Sequence, residues 1–381
     1  MKIVYCIDSI GSGGVEQITV FKANALAERE GNRVWIVYTD PPKEGGVLHP
    51  SEKVGLVDLG IRYCDNHRRF PWNILLFALL ERRHKKALAA SLREINPDVV
   101  ISTGGKEKTF LYAIKGNWVK LRELHVSKGA RLQIAFSFRD RVVARLLEFA
   151  EFRGVLHKYD CLVVPTQYEK EDAWGNDRRV AVIPNPLRFS TAPPEDHPRE
   201  KTIVAVGRLE PGKNYASLIR AFRSASDHFP EWTLHLCGEG SERRSLTALI
   251  RQLGLSRRVF LEGYVPRLEE VLRKAAFFVH PSRYETFGMV IVEAMAYGLP
   301  VIAYDCRYGP RTILEDGKDG FLVPVDDESL LAERICALMG NEALRSTMGR
   351  EALAKAEQFD IRRVCPLWMD LFERLHEEKS K

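Results

Sequence analysis

The sequence predicts an α/β protein made of two doubly wound parallel sheets in tandem. The chain of 381 residues is too long for one ordinary core and fits two domains of roughly 150 to 200 residues each. Short apolar runs typical of strands alternate with segments of helical periodicity, as expected for parallel sheets flanked by helices. The alternation stops in a stretch rich in proline and charge at 189–199, which we interpret as a linker, and then starts again.

Each predicted element comes from one apolar run or one amphipathic segment. In the first half, strands are predicted at 2–8, 33–38, 98–102, 121–126, 161–164 and 180–183, and helices near 15–30, 71–94, 106–115 and 139–157. In the second half, strands are predicted at 202–206, 233–237, 259–263, 277–280, 301–304 and 320–323, and helices near 215–229, 242–253 and 364–378. Doubly wound sheets bind ligands at the carboxyl ends of their strands, so candidate residues are expected directly after these runs.

Composition indicates a soluble protein of the cytosol. The hydrophobic share of 45% and the charged share of 28% are those of a globular protein. The cysteines are scattered and form no C-x-x-C pair, which predicts reduced thiols and argues against structural zinc or a disulfide framework. We find no signal peptide at the N-terminus and no run of about 18 apolar residues, so the sequence predicts a cytoplasmic location without a membrane span.

Positive charge is concentrated in the N-terminal half. Residues 1–190 carry 30 lysines and arginines against 22 aspartates and glutamates, whereas 191–381 carry 27 against 29. Basic residues at 67–69 and 82–86 flank the apolar segment 70–80. This pattern fits an amphipathic helix with a solvated basic face, or peripheral contact with an anionic membrane surface. Nucleic acid is not an expected partner, because the basic residues lack interleaved aromatics or a binding motif.

The most informative motif joins two carboxylates across the start of a predicted helix. Glu285 and Glu293 are eight residues apart, and Gly288 lies between them where the helix would open. The first backbone N–H groups of a helix have no intrahelical partners and can face a pyrophosphate. Glu293 could then accept bonds from ribose hydroxyls, and Glu285 from hydroxyls of a sugar. The alternative is a helix whose N-terminal carboxylates only stabilise its macrodipole.

A second motif places two cations around a turn after the first strand of the second half. Arg208 and Lys213 flank a Pro-Gly turn and could converge on one anion. Such cations would stabilise the charge that develops on a departing pyrophosphate. The sequence has no D-x-D triplet of the kind that holds a divalent metal for nucleotide sugars, so we predict no metal and no other cofactor. The alternative is an ordinary turn with solvated cations.

Weaker candidates follow other strands. The glycine-rich segment 10–16 follows the first strand, where glycine lets the backbone approach a ligand closely. Asp40, after the second strand, leaves open a dinucleotide-binding interpretation. His125 lies near the end of the strand predicted at 121–126 and could bond a sugar hydroxyl or a backbone carbonyl, although a lone histidine is more often structural. Residues 263–265 also end a strand and could offer backbone groups to a nucleobase.

These motifs occur in an order that resembles a known family. G-G-x-E, G-R-x-x-x-x-K, G-x-G, E-G-Y-V and E-x-F-G-x-x-x-x-E-A follow one another as in the retaining GT-B glycosyltransferases of family 4. The resemblance covers nearly the whole chain and is most specific over 207–323. It implies two Rossmann-like domains facing across a cleft, with an acceptor-side domain at 1–188, a nucleotide-sugar domain at 189–363, and a C-terminal helix at 364–381 that crosses back to the first domain.

The resemblance also implies a role for each candidate residue. Arg208 and Lys213 would bind the donor diphosphate, Glu293 the ribose, and Glu285 the transferred sugar. The remaining implied contacts are backbone amides from Phe287, Gly288, Met289 and Val290, a nucleobase surface at Gly263, Tyr264 and Val265, closure over donor and acceptor by Gly14 and Glu16, and placement of His125 beside the reacting sugar. His125, Glu285, Arg208 and Lys213 would then be the catalytic residues.

The implied reaction moves a hexose from a nucleotide diphosphate to a glycan or lipid-linked acceptor, in the synthesis of surface polysaccharide or glycolipid. Family usage favours UDP as the nucleotide. The anomeric configuration would be retained by same-face attack, which needs no enzyme nucleophile and relies on positioning and charge stabilisation. Two alternatives stay open: a GT-B nucleotide-sugar epimerase, and an inactive subunit that binds nucleotide sugars for a partner enzyme.

Overall fold

The computed structural model describes residues 1–11, 13–41, 49–63, 72–128, 138–175, 177–187 and 199–381. The chain divides into unit 1, Met1–Pro186 with Ile361–Lys381, and unit 2, Leu187–Asp360. The linker predicted at 189–199 lies outside the described residues except for Arg199, which belongs to unit 2. Arg199 Nη1 donates a hydrogen bond of 2.9 Å to the Ala275 carbonyl and so anchors the start of this unit.

Unit 1 is built on a seven-stranded parallel sheet in the order β3-β2-β1-β4-β5-β6-β7. Its strands are β1 Lys2–Ser9, β2 Arg33–Asp40, β3 Val54–Asp58, β4 Val99–Ser102, β5 Val119–Glu123, β6 Cys161–Val164 and β7 Val180–Val182. Its helices are α1 Gly14–Ala27, α2 Trp72–Ile95, α3 Phe138–Phe149, α4 Gln167–Glu169 and α12 Ile361–Ser380. Helix α12 is the last helix of the chain and belongs to unit 1. It buries Val364, Trp368 and Phe372 in the same core as β1 and β4.

Four predictions for unit 1 were wrong in detail. The strand predicted at 121–126 is β5, which ends at Glu123. Strand β3 was not predicted, because it is a short edge strand with exposed alternate residues and gives little apolar signal. The helix predicted at 106–115 consists instead of two 3₁₀ turns, Lys106–Thr109 and Leu111–Ala113, separated by Phe110, whose ring is buried in the core. The predicted helix at 139–157 ends as an α-helix at Phe149 and continues as a π-helical segment, Ala150–Val155.

Unit 2 is built on a six-stranded parallel sheet in the order β10-β9-β8-β11-β12-β13. All its strands coincide with the predicted runs: β8 Thr202–Val206, β9 Thr233–Cys237, β10 Val259–Gly263, β11 Phe277–His280, β12 Val301–Tyr304 and β13 Gly320–Val323. Its helices are α5 Tyr215–Ser226, α6 Arg243–Gln252, α7 Leu268–Lys274, α8 Met289–Ala296, α9 Gly309–Ile313, α10 Glu328–Gly340 and α11 Glu342–Ala356.

The strand order of each sheet reverses at one place, between β1 and β4 in unit 1 and between β8 and β11 in unit 2. Such a switch point leaves a crevice at the carboxyl ends of the two strands, where doubly wound sheets bind ligands. The predicted fold class of two Rossmann-like α/β units is therefore confirmed. Within the described ranges, no helix is long and apolar enough to cross a membrane.

Candidate functional site

The carboxylate of Glu285 is the centre of the candidate site in unit 2. Its Oε2 accepts a bond of 2.6 Å from Lys213 Nζ, and His280 Nε2 lies 3.1 Å from the same oxygen. Lys213 ends a 3₁₀ turn after β8, His280 is the last residue of β11, and Glu285 lies in the loop that follows. We call these three residues the Glu285 cluster. They meet at the switch point, because β8 and β11 are neighbours in the sheet.

Backbone contacts hold the loop of Glu285 in place. The Glu285 carbonyl accepts from the Tyr308 and Gly309 amides at 2.7 and 3.0 Å, and the Glu285 amide donates to the Arg307 carbonyl at 3.2 Å. A Cβ added to Gly309 would lie 1.8 Å from the Phe287 carbonyl oxygen, so only glycine permits this approach. The carboxylate is thus carried by a loop bonded to the chain after β12.

Electrostatics keep Glu285 ionised. Burial alone would raise its pKa, but the charge of Lys213 and the hydrogen bond with His280 hold the pKa well below its usual range. Burial lowers the pKa of His280, although Glu285 opposes this shift, so the imidazole is neutral near pH 7 and its Nε2–H can donate. Both donors engage Oε2, which leaves Oε1 without a bond inside the cluster and able to accept one from a hydroxyl.

The helix predicted beside Glu285 begins one residue after Gly288, at Met289. Gly288 has φ 98°, in the left-handed region, and a Cβ there would lie 3.3 Å from Glu285 Cγ. The first residues after Gly288 carry the helix-terminal N–H groups, and they follow directly on this close approach to Glu285. Glu293, one turn into α8, is fully buried. The structure therefore sets the helix start beside the Glu285 cluster, as the spacing of the motif requires.

The other unit 2 candidates lie in neighbouring loops. The side chain of Arg208 is exposed in the loop after β8. Lys213 passes close to the same loop, since a Cβ on Gly207 would lie 3.6 Å from Lys213 Cε. Gly263 has φ 78° and accepts a 2.7 Å bond from the Gly238 amide, and Tyr264 beyond it is exposed. The structure thus brings Lys213 and Glu285 into contact and leaves Arg208 and Tyr264 open to solvent.

Unit 1 contains a cavity of about 290 Å³ at its own switch point. It is lined by the carboxyl ends of β1 and β5, by the residues that follow β4 and β5, by the start of α1 and by the region around the end of α3, among them Asp8, Glu16, Lys108, Arg122, His125 and Glu151. Two predicted site residues, Glu16 and His125, therefore share one cavity. Gly14, the first residue of α1, is exposed. The cavity wall is rich in charged groups, which suits a ligand that offers many hydroxyls.

His125 lies two residues beyond the end of β5 and not inside a strand, as had been predicted. Its Nε2 is 3.4 Å from Oε1 of Glu123, the last residue of that strand. Burial lowers the pKa of His125 to about 4, against the attraction of Glu123, so the imidazole is neutral near pH 7. A neutral imidazole has one nitrogen that donates and one that accepts, and it can therefore bond a hydroxyl in the cavity.

Sequence reasoning missed His280 and the partners of His125. His280 carried a detectable signal, because it ends a strand five residues before Glu285. Lys22, which pairs with Glu123, carried a weaker one: it interrupts the buried apolar face of α1 between Ile18 and Leu26. Neither sequence pattern shows which residue the side chain contacts, because that contact forms only when distant segments of the chain pack together.

The chain is similar to known glycosyltransferases in sequence and in fold. Residues 189–355 match the family described as "Glycosyl transferases group 1". The chain has the GT-B fold. It can be superposed on TarM of S. aureus with a TM-score of 0.78 at 17% identity, covering 97% of this chain and 98% of the other. It can also be superposed on the sucrose-phosphate synthase of Thermosynechococcus elongatus with a TM-score of 0.79 at 22% identity, covering 99% of this chain and 100% of the other.

Curated relatives include a phosphotransferase and several glycosyltransferases of different lengths. An exopolysaccharide phosphotransferase of Streptomyces coelicolor is 37% identical over 225 residues, 57% of this chain and 23% of the relative. A poly(ribitol-phosphate) alpha-N-acetylglucosaminyltransferase of Staphylococcus aureus is 28% identical over 219 residues, 57% of this chain and 43% of the relative. The chain thus spans less than half of these two. An uncharacterized glycosyltransferase of Haemophilus influenzae is 24% identical over 374 residues, 96% and 98% of the two chains.

Proposed function

We propose that the protein is a retaining, metal-independent glycosyltransferase of family 4 that moves a hexose from a UDP-sugar to a glycan or lipid-linked acceptor. The observation that carries this proposal is the Glu285 cluster, an ionised carboxylate with one oxygen open, beside a helix start at a switch point. Support also comes from the match of residues 189–355 to the group 1 glycosyltransferases.

The donor diphosphate would lie between the start of α8 and the cations after β8. An ammonium has three donors, so Lys213 can keep its bond to Glu285 and still bond a phosphate oxygen. The exposed Arg208 can reach an anion without first breaking a hydrogen bond described in the structure. The amides that follow Gly288 would add uncharged donors to the same diphosphate. Glu285 Oε1 would then accept from a hydroxyl of the sugar, Glu293 would serve the ribose, and 263–265 the base.

In the proposed reaction, the acceptor oxygen bonds the anomeric carbon on the face from which the phosphate leaves. The bond between that carbon and the phosphate oxygen breaks, and the acceptor's hydroxyl proton passes to the departing phosphate. Lys213 and Arg208 would stabilise the negative charge that the diphosphate gains, which is an electrostatic contribution to catalysis. With cations in this place we expect full transfer in EDTA. Activity that appears only with manganese or magnesium would contradict the metal-independent part of the proposal.

UDP and a surface glycan are the finer parts of the proposal. Solved GT-B structures of S. aureus TarM and Anabaena HepE were determined with UDP. Relatives named for poly(ribitol-phosphate), poly(glycerol-phosphate) and a diphospho-undecaprenol acceptor favour a bacterial envelope glycan or its lipid-linked precursor. The roles of Gly14 and Glu16 stay predictions.

A peripheral membrane contact is proposed for α2. Its described part exposes Phe77 and Leu79 together with Arg82, Arg83, Lys85 and Lys86, whereas the basic residues predicted at 67–69 lie outside the described residues. Exposed apolar groups beside cations suit an anionic membrane surface. We expect flotation with vesicles of phosphatidylglycerol and phosphatidylcholine but not with phosphatidylcholine alone. Loss of flotation in Arg82→Glu/Arg83→Glu would support this contact. If the wild type does not float with the phosphatidylglycerol vesicles, the proposed contact is wrong.

The test of the main proposal combines donor binding with product analysis. A ligand that binds only the folded state raises the melting temperature, so one member of a panel of UDP-, GDP- and dTDP-sugars should stabilise the wild type and not Lys213→Ala. Incubation with that donor and candidate acceptors should then yield a glycoside of retained configuration. Release of a free epimer without acceptor would favour the epimerase, and stabilisation without turnover would favour the inactive subunit.

A further inference from the structure

The core of unit 1 contains a buried ion pair that the proposed reaction does not use. Lys22 of α1 bonds Glu123 Oε1 at the end of β5, and both side chains are almost fully buried. The Lys22 ammonium also lies 4.4 Å from the ring centroid of Trp368 in α12 and 5.5 Å from that of Tyr5 in β1. Burying two charges costs several kcal/mol each, and apolar residues of similar volume often stabilise such a site equally well.

The apolar neighbours of Lys22 show that the core itself does not need a charge at this position. Ile18 and Leu26, one turn to either side, are both buried, and Leu26 belongs to the core cluster that contains residues of β1 and α12. A methionine or leucine at 22 would continue that face. The lysine is therefore best explained by its partner, Glu123, which would otherwise be a buried carboxylate without a contacting Lys or Arg among the described residues.

Glu123 links the pair to the cavity. The oxygen that bonds Lys22 is the one 3.4 Å from His125 Nε2, and His125 lines the cavity together with Glu16 and Arg122. A carboxylate beside Nε2 favours the tautomer with its proton on that nitrogen. Nδ1 is then the unprotonated nitrogen and can accept a hydrogen bond from a hydroxyl.

We infer that Lys22 and Glu123 are positioning residues for His125: the buried pair fixes the ring orientation and the Nε2–H tautomer, so that Nδ1 receives a sugar hydroxyl in the unit 1 cavity. This inference rests on the proposed function. The ring of Trp368 packs on the Lys22 ammonium, so the C-terminal helix also helps to hold the ion pair in place. The separation of 3.4 Å is longer than a tight hydrogen bond and would shorten when a sugar fills the cavity.

A double variant separates positioning from a structural role. Lys22→Met/Glu123→Leu removes both charges and keeps the volume of the core, so neither partner is left buried and unpaired. If the pair only ties elements together, this variant keeps both its melting temperature and its kcat. We expect a melting temperature close to the wild type with kcat lowered about 100-fold, the loss typical of a reacting group misplaced by about 1 Å. Wild-type kcat in the folded double variant would overturn the inference.

The control lies on the same helix face. Leu26→Ala leaves the ion pair intact and creates a cavity in the same core, so it should lower the melting temperature without lowering kcat. A loss of kcat in Leu26→Ala as large as in the double variant would show that the reaction merely follows core stability, and would also overturn the inference.

A readout without turnover keeps the inference distinct from the proposed function. Ring nitrogen NMR of wild-type protein, with His125 assigned from a His125→Gln variant, should show the proton on Nε2, and the double variant should show a mixture of tautomers. A proton on Nδ1 in the wild type would overturn the inference whether or not any variant folds. Failure of every nucleotide sugar to stabilise unit 2 would instead reject the proposed function and leave this result standing.

Discussion

The two units contain the same three chemical groups arranged in opposite order of burial. In the Glu285 cluster of unit 2, the histidine is 2% exposed, whereas the carboxylate and the lysine are 19% and 24% exposed. In unit 1, Lys22, Glu123 and His125, here called the Glu123 cluster, are 1%, 4% and 7% exposed. In each cluster one carboxylate oxygen contacts both the ammonium and His Nε2, so the difference lies in which group meets the ligand.

The positions of these groups along the chain explain the difference. His280 is the last residue of β11 and Glu285 lies in the loop after it, whereas Glu123 is the last residue of β5 and His125 lies in the loop. The last residue of a central strand is packed between helices, and a loop residue at the carboxyl end faces the crevice. A carboxylate is therefore presented in unit 2 and an imidazole in unit 1. The buried member of each cluster supports the presented one.

The largest expected effect comes from removing the presented carboxylate or its lysine. Glu285→Ala and Lys213→Ala should each lower kcat by roughly 100-fold to 1,000-fold, because preorganised charge is lost at the reacting centre. Circular dichroism should show that both variants stay folded. Lys201→Ala is the matched control, since Lys201 also pairs with a glutamate of unit 2, Glu231, at 2.9 Å, but both side chains are exposed. Unchanged turnover in either cluster variant would refute the assignment of the site.

A smaller effect is expected for the supporting histidine of unit 2. His280→Leu removes one of two donors to Glu285 while Lys213 keeps the carboxylate ionised, so kcat should fall about 10-fold, less than for a full displacement of about 1 Å. His280→Gln retains a donor near the place of Nε2 and should recover most of the activity. The ratio of the two kcat values measures how much the hydrogen bond from residue 280 to Glu285 contributes to turnover. Equal losses in both variants would mean that His280 meets the ligand itself, which would break the comparison.

The sequence was sufficient for those parts of the molecule that depend on local pattern. All strands of unit 2 were predicted, and Lys213 and Glu285 were placed in one site, because strand ends and motif spacing fix both. The edge strand β3 and the 3₁₀ turns around Phe110 were not predicted, since packing against distant segments decides them. The same limit hid Lys22, whose partner Glu123 is 101 residues away. A lysine in an apolar stripe signals burial, but only the fold supplies its counter-ion.

The last expected effect is on stability and not on turnover, and it tests the presented imidazole of unit 1. The pKa of His125 is about 4 in the folded state, whereas the same group in the unfolded chain has a pKa of about 6.5. Between these values the unfolded state binds more protons, so the protein loses stability as the pH falls. At pH 5 this loss of stability amounts to about 2 kcal/mol relative to pH 7.

The side chain at 125 cannot titrate in His125→Gln, so urea unfolding at the two pH values should show a correspondingly smaller loss of stability. His84, whose pKa burial also lowers to about 4, contributes equally to both proteins and cancels in the difference. An identical pH dependence for the two would mean that His125 is solvated, and the burial order proposed for the Glu123 cluster would then be wrong.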